Sequence, residues 1–225
     1  MTRAFATLAS TLTVFAAASL TDVMPRIDAR PHYSFAGSDT LALQIQQGAP
    51  ADVFLAASTK QPTDLFQAGL AYKPVVFATN ELVFVVPRSS PAHIKSVLDI
   101  GRSGIKLVIA APTVPVGAYT RTVLSNLGMT RALANVVSEE PDVRGVLAKV
   151  ALGEADAGFV YATDAGAAAA QVAQLKIPAW AQPRVRYELA IVRTTRHLAE
   201  ARRFVQRVLS KAGRAKLKAA GFGLP

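Results

Sequence analysis

Leu12-Thr13-Val14-Phe15-Ala16, followed by Ala17-Ala18-Ser19 and then by a helical pattern over 20–29, decides the fold. An almost unbroken apolar run of strand length reads as a strand buried on both faces, the situation of a parallel sheet with helices packed against each side. The same order of apolar run, small polar turn and helical pattern returns along the chain. Further strands are expected at 33–35, 53–56, 82–86, 107–110, 157–161 and 189–192. Helices are expected at 40–47, 62–68, 119–127, 143–152, 165–170 and 197–209, with Leu41, Ile45, Val143, Leu147 and Val150 forming core stripes. Alternation of this kind is the pattern of an α/β protein.

Two breaker clusters divide the chain, Pro87-Arg88-Ser89-Ser90-Pro91 and the proline-bounded stretch 178–183. A chain that leaves one α/β unit near residue 84, builds a second and returns near residue 188 makes two lobes joined by two crossovers. The expected lobes are 10–83 with 190–225, and 84–189, with a ligand cleft between them. Such a clamp closes on small ligands.

The composition bounds what the clamp can do. Of 225 residues, 51% are hydrophobic and 18% charged, which sets the chain apart from disordered sequences. Cysteine is absent, so disulfides, thiolate metal sites, a cysteine nucleophile and a lipid-bearing cysteine are all excluded from this sequence. Ser10, Thr11, Thr13 and Asp22 interrupt the N-terminal apolar run, so no membrane span is expected. Met1-Thr2-Arg3-Ala4-Phe5 carries one positive charge with no hydrophobic region before the first strand, at best the vestige of an export signal.

Catalytic constellations are missing. His32, His93 and His197 lack helical partners at metal-ligand spacing, and no nucleophile elbow, phosphate loop or dinucleotide fingerprint is present. Glu139-Glu140 and Glu154-Ala155-Asp156 fall at element ends, where solvated carboxylates are ordinary. Lys+Arg 25 against Asp+Glu 15 gives +10, much of it after residue 193. That stretch has apolar Leu198, Val205, Val208 and Leu209 at helical spacing and no interleaved aromatic residues, so it reads as a solvated helix face rather than a nucleic-acid site.

What recurs is a small turn between a strand end and a helix start: Ala18-Ser19, Gly37-Ser38, Pro115-Val116-Gly117 and Asp142-Val143. In open parallel sheets such turns converge on one crevice, and each helix start offers unpaired N–H groups at the positive end of a dipole. Several aimed at one point make an anion site without a lysine or arginine. Taken singly, Ser19 and Ser38 are ordinary helix caps.

Read in order, Val14 to Thr21, Ser34-Phe35-Ala36-Gly37-Ser38, Gly48-Ala49-Pro50-Ala51-Asp52-Val53-Phe54, Val114-Pro115-Val116-Gly117-Ala118-Tyr119, Pro141-Asp142-Val143-Arg144-Gly145 and Gly153 to Tyr161 resemble the periplasmic molybdate-binding proteins of bacterial ABC importers. The resemblance runs from about residue 11 to the C-terminus. It implies a two-lobed periplasmic-binding-protein fold, each lobe a mostly parallel sheet flanked by helices, joined by two crossover strands. It further implies a periplasmic, monomeric, non-enzymatic carrier that binds molybdate, and tungstate with it, for delivery to a membrane permease. No cofactor and no direct metal ligand are implied. The oxyanion contacts carried over are the hydroxyl and N–H of Ser19 and Ser38, the N–H groups of Val116 and Val143, and the phenol of Tyr161. Sulfate or phosphate is the alternative cargo. Asp39 departs from the family, which has a small neutral residue there; it is expected to face outward or to cap a helix beginning at Thr40, since a carboxylate in the cavity would repel the ligand.

Overall fold

Residues 11–90 and 92–225 are described by the computed structural model; the stretch 1–5 expected to be the vestige of an export signal, residue 10 at the expected lobe edge and Pro91 of the first breaker cluster lie outside them. The strands are β1 (Thr13–Ala17), β2 (His32–Ala36), β3 (Val53–Ala56), β4 (Val75–Asn80), β5 (Leu82–Pro87), β6 (Leu107–Ala110), β7 (Val136–Glu140), β8 (Ala157–Tyr161), β9 (Val172–Leu175) and β10 (Val185–Ile191). The helices are α1 (Met24–Ile27), α2 (Ser38–Gln46), α3 (Lys60–Gln67), α4 (Pro115–Asn126), α5 (Val143–Ala151), α6 (Ala162–Ala167), α7 (Leu198–Leu209) and α8 (Lys211–Ala219).

Two five-stranded sheets result, ordered β2-β1-β3-β10-β4 and β7-β6-β8-β5-β9. In the first, β2, β1 and β3 pair in parallel while β10 runs antiparallel to both β3 and β4. In the second, β7, β6 and β8 are parallel and β5 runs antiparallel to both β8 and β9. Four strands of each sheet therefore point one way, and the single reversed strand of each is the one by which the chain enters that sheet from the other. This is the mostly parallel, helix-flanked architecture read from the sequence. The strands β3, β6 and β8 are buried along their whole length, which is why their sequences are unbroken apolar runs.

The crossings differ in position from those expected. The chain passes from β4 to β5 through Glu81, and returns over 176–184. Hydrogen bonding of β10 to the first sheet already begins at Val185, which the boundary at 189 had put in the second unit. The burial of β10 alternates at its start, with Arg186 exposed between Val185 and Tyr187, so its first half lacks the continuous apolar signal. Strands β4, β7 and β9, unread in the sequence, are all sheet edges, where exposure dilutes the apolar pattern.

The helix expected over 20–29 is a 3-10 turn, Ala18–Leu20, followed by the four-residue α1. Pro25 explains the break: its ring excludes the carbonyl four residues earlier and it offers no N–H, so it is tolerated only in a first turn. Pro115 acts the same way in α4, which starts there rather than at Tyr119. The alanine-rich helix is shifted toward the N-terminus, running as α6 and ending at Ala167.

Candidate functional site

The carboxyl ends of β1, β2 and β3 face those of β6, β7 and β8 across a cavity lined by residues that leave these strands. From the first sheet come Ala17, Ala18, Ser19, Ala36, Gly37, Ser38 and Ala57; from the second come Val114, Pro115, Val116, Asp142, Val143 and Tyr161. All five residues expected to contact an oxyanion, Ser19, Ser38, Val116, Val143 and Tyr161, are thus brought to one place. The space is small, about 210 Å³ of atom-free volume open to solvent.

Helix geometry makes this wall a set of donors. The caps of the 3-10 turn and of α2 are Ala17 and Gly37, without a side-chain capping bond, so neither serine is spent as a cap. Ser38 and Val143 are the first residues of α2 and α5, and Val116 is the second of α4, positions whose N–H has no acceptor within the helix. The Asp142 carboxylate, also at the wall, caps α5 by accepting from the N–H groups of Arg144 and Gly145 at 2.7 and 3.0 Å. Ser38 Oγ accepts from the N–H of Ala57 at 3.0 Å, which leaves its own proton to donate. Ser19 Oγ lies 2.9 Å from the hydroxyl of Tyr187.

Tyr161 completes the set from the last position of β8. The residue is 1% exposed, yet its hydroxyl makes no well-formed hydrogen bond among the described residues, the neighbouring Tyr187 hydroxyl being engaged with Ser19 and Asn80. Leaving a buried hydroxyl unpaired costs about 1–3 kcal/mol, so this group is held ready for something absent from the protein itself. Burial, reinforced by the neighbouring Tyr187 and Tyr119, pushes its pKa well above the usual phenol value, so it stays protonated and able to donate. Among the described residues, no lysine or arginine belongs to the cavity wall.

Two glycines permit the close approach of these turns. A Cβ on Gly37 would lie 2.4 Å from the carbonyl oxygen of Pro141, across the cavity in the turn before α5. One on Gly117 would lie 2.1 Å from the carbonyl oxygen of Ala111, at the foot of α4. Asp39, the second residue of α2 rather than the cap of a helix at Thr40, is not part of the wall. Its Oδ2 accepts a 2.6 Å hydrogen bond from Thr113 Oγ1, which ties α2 to the turn before α4.

More contacts join the two sheets' layers. Gln61 Nε2 donates to the carbonyl of Thr113 at 3.3 Å, and Asn80 Nδ2 donates to Thr163 Oγ1 at 3.0 Å. Arg144 of α5 forms ion pairs with Asp22 and with Asp164 of α6, the latter at 3.0 Å. Asp164 is fully buried, and burial raises its pKa to about 7 against the pull of Arg144. Sequence reading passed over Tyr187, Asn80, Thr113, Arg144 and Asp164 as functional positions. Each acquires its neighbours only through long-range pairing, and no local motif announces it.

Residues 12–223 match the family model of the bacterial extracellular solute-binding proteins. The chain belongs to this family. Among its relatives in the family is the molybdate-binding protein ModA of Mycobacterium tuberculosis, 40% identical over an alignment that covers 96% of this chain and 86% of the relative. Among solved structures, the periplasmic molybdate-binding protein of Azotobacter vinelandii superposes with a TM-score of 0.84 at 25% identity, covering 95% of this chain and 99% of that one. The sulfate-binding protein SubI of M. tuberculosis superposes with a TM-score of 0.81 over 94% of this chain and 86% of its own, but at 20% identity the likeness concerns the fold alone.

Proposed function

We propose that this solute-binding protein takes up molybdate, and tungstate by the same contacts, in the cavity between its two sheets, and delivers it outside the cytoplasmic membrane to the permease of an ABC importer. No bond is made or broken. The two lobes of this reading are 12–80 with 185–225, and 82–175. The observation that carries it is the unpartnered buried hydroxyl of Tyr161, set in a wall whose other donors are serine hydroxyls and helix-start N–H groups and whose carboxylate, Asp142, caps α5. Such fixed neutral donors match a tetrahedral dianion without first stripping water from an ammonium group. The ModA relatives bear the name of the same ligand.

Phosphate is the rival the test must separate: near neutral pH it keeps a proton that needs an acceptor, and although Asp39 Oδ2 accepts from Thr113 and Asp142 Oδ1 from two backbone N–H groups, Asp39 Oδ1 is buried without a partner among the described residues. Thermal unfolding with molybdate, tungstate, sulfate or phosphate at equal concentration tests the assignment. A ligand that binds only the folded chain stabilises it by RT ln(1 + [L]/Kd), about 4 kcal/mol at a thousandfold excess over Kd. Molybdate and tungstate are expected to raise the melting temperature and sulfate to do little; a larger shift with sulfate or phosphate, or none with any of the four, overturns the assignment.

A further inference from the structure

We infer that Asn80 and Tyr187, neither of them in the cavity wall, fix the direction in which the Ser19 hydroxyl points its proton, and so act as positioning residues for the bound anion. The inference rests on the proposed function, because it concerns how one of the proposed contacts is prepared.

Proton counting gives the direction. The side-chain Oδ1 of Asn80 accepts from the N–H of Glu81 at 2.9 Å, which orients the amide and leaves its NH2 group facing the other way. That nitrogen donates to Thr163 Oγ1 at 3.0 Å and to the Tyr187 hydroxyl at 3.4 Å. An amide NH2 can only donate, so the Tyr187 oxygen accepts from it, and among the described hydrogen bonds Ser19 Oγ, 2.9 Å away, is the remaining neighbour to take the single Tyr187 proton. Ser19 then accepts from Tyr187, and its own proton is left for the cavity. Were the order reversed, Ser19 would donate to Tyr187 and present lone pairs to an anion.

The relay is rigid. Tyr187 is fully buried, with its ring edge-on to Phe77, Tyr161 and Phe222 at centroid distances of 6.1, 5.7 and 5.4 Å. Asn80 ends β4 and Tyr187 lies in β10, so the relay is carried by the two strands that flank the crossings, while Thr163 belongs to α6 beside the second sheet. Ser19 is thereby oriented from the junction of the layers.

A double-mutant cycle measured by calorimetric titration with molybdate tests it. Tyr187→Phe keeps the ring and removes only the hydroxyl. It is expected to weaken binding roughly tenfold, the value of one misdirected charge-assisted hydrogen bond. In the Ser19→Ala background the same change is expected to cost less than about twofold, because there is no hydroxyl left to orient. Losses that multiply independently in the double variant, or unchanged affinity in Tyr187→Phe, overturn the relay while leaving the proposed function standing. Absence of binding by the wild-type chain removes the proposed function itself. Should Tyr187→Phe fail to fold, Asn80→Asp supplies the second cycle: a carboxylate accepts where the amide donated, reversing the relay, and its loss must again shrink when Ser19 is alanine, whereas plain charge repulsion persists there.

Discussion

Tyr161 shows how far one residue can be read. As the last residue of an apolar run it was expected to reach the crevice, and it lies there with its hydroxyl unpaired. Tyr161→Phe deletes that donor and keeps the ring. Molybdate affinity is expected to fall at least tenfold, the loss of one charge-assisted bond, whereas the unliganded melting temperature should hold or rise because an unpaired buried polar group has been removed. Equal affinities for the two forms in calorimetric titration would take Tyr161 out of the site. The wall itself was legible because Ser19, Ser38, Val116 and Val143 each stand at a strand-to-helix turn that local sequence marks. Tyr187 and Asn80 were not legible, since their polarity matters only once β4 and β10 pair.

Elements explain the rest of the difference between sequence and structure. Central strands flanked by helices on both faces wrote themselves as apolar runs, while edge strands such as β7, with Val137 58% exposed, left a mixed pattern. Proline positions, available in the sequence, account for the late start of α1 and the early start of α4. A pH response belongs to the α5–α6 pair. Asp164 is held near a pKa of about 7 by burial, well above the ordinary carboxylate value of 3.8. The folded chain therefore keeps a proton there that the unfolded chain releases, and the contribution of this group to stability is present below about pH 4 and lost as pH rises through about 7. Asp164→Asn should flatten the decline in denaturant-measured stability between pH 5 and 7, because the asparagine carries no proton to lose over that range. An unaltered slope in the variant would show that Asp164 does not titrate in this window.

Across the whole molecule, charge is distributed unevenly between exterior and cavity. The chain carries +10 overall, and exposed Arg202, Arg203, Lys211, Arg214, Lys216 and Lys218 make the α7–α8 face basic, while the cavity wall has no cationic side chain. This separates two rates. Capture of a dianion from solution is hastened by the long-range field of the exterior, and salt screens that field over a Debye length of about 10 Å at 0.1 M. On the proposed contacts, escape requires breaking short hydrogen bonds to serine, tyrosine and backbone donors, which salt screens far less than the long-range field. Stopped-flow measurements at increasing ionic strength are expected to show the association rate constant for molybdate falling several-fold while the dissociation rate constant stays level; a dissociation rate that climbs with salt would mean that a formal charge holds the ligand after all. A trap with no cationic side chain in its wall, behind a basic exterior, thus loses speed in brine but not residence time, so cargo once held stays held in media of very different salinity.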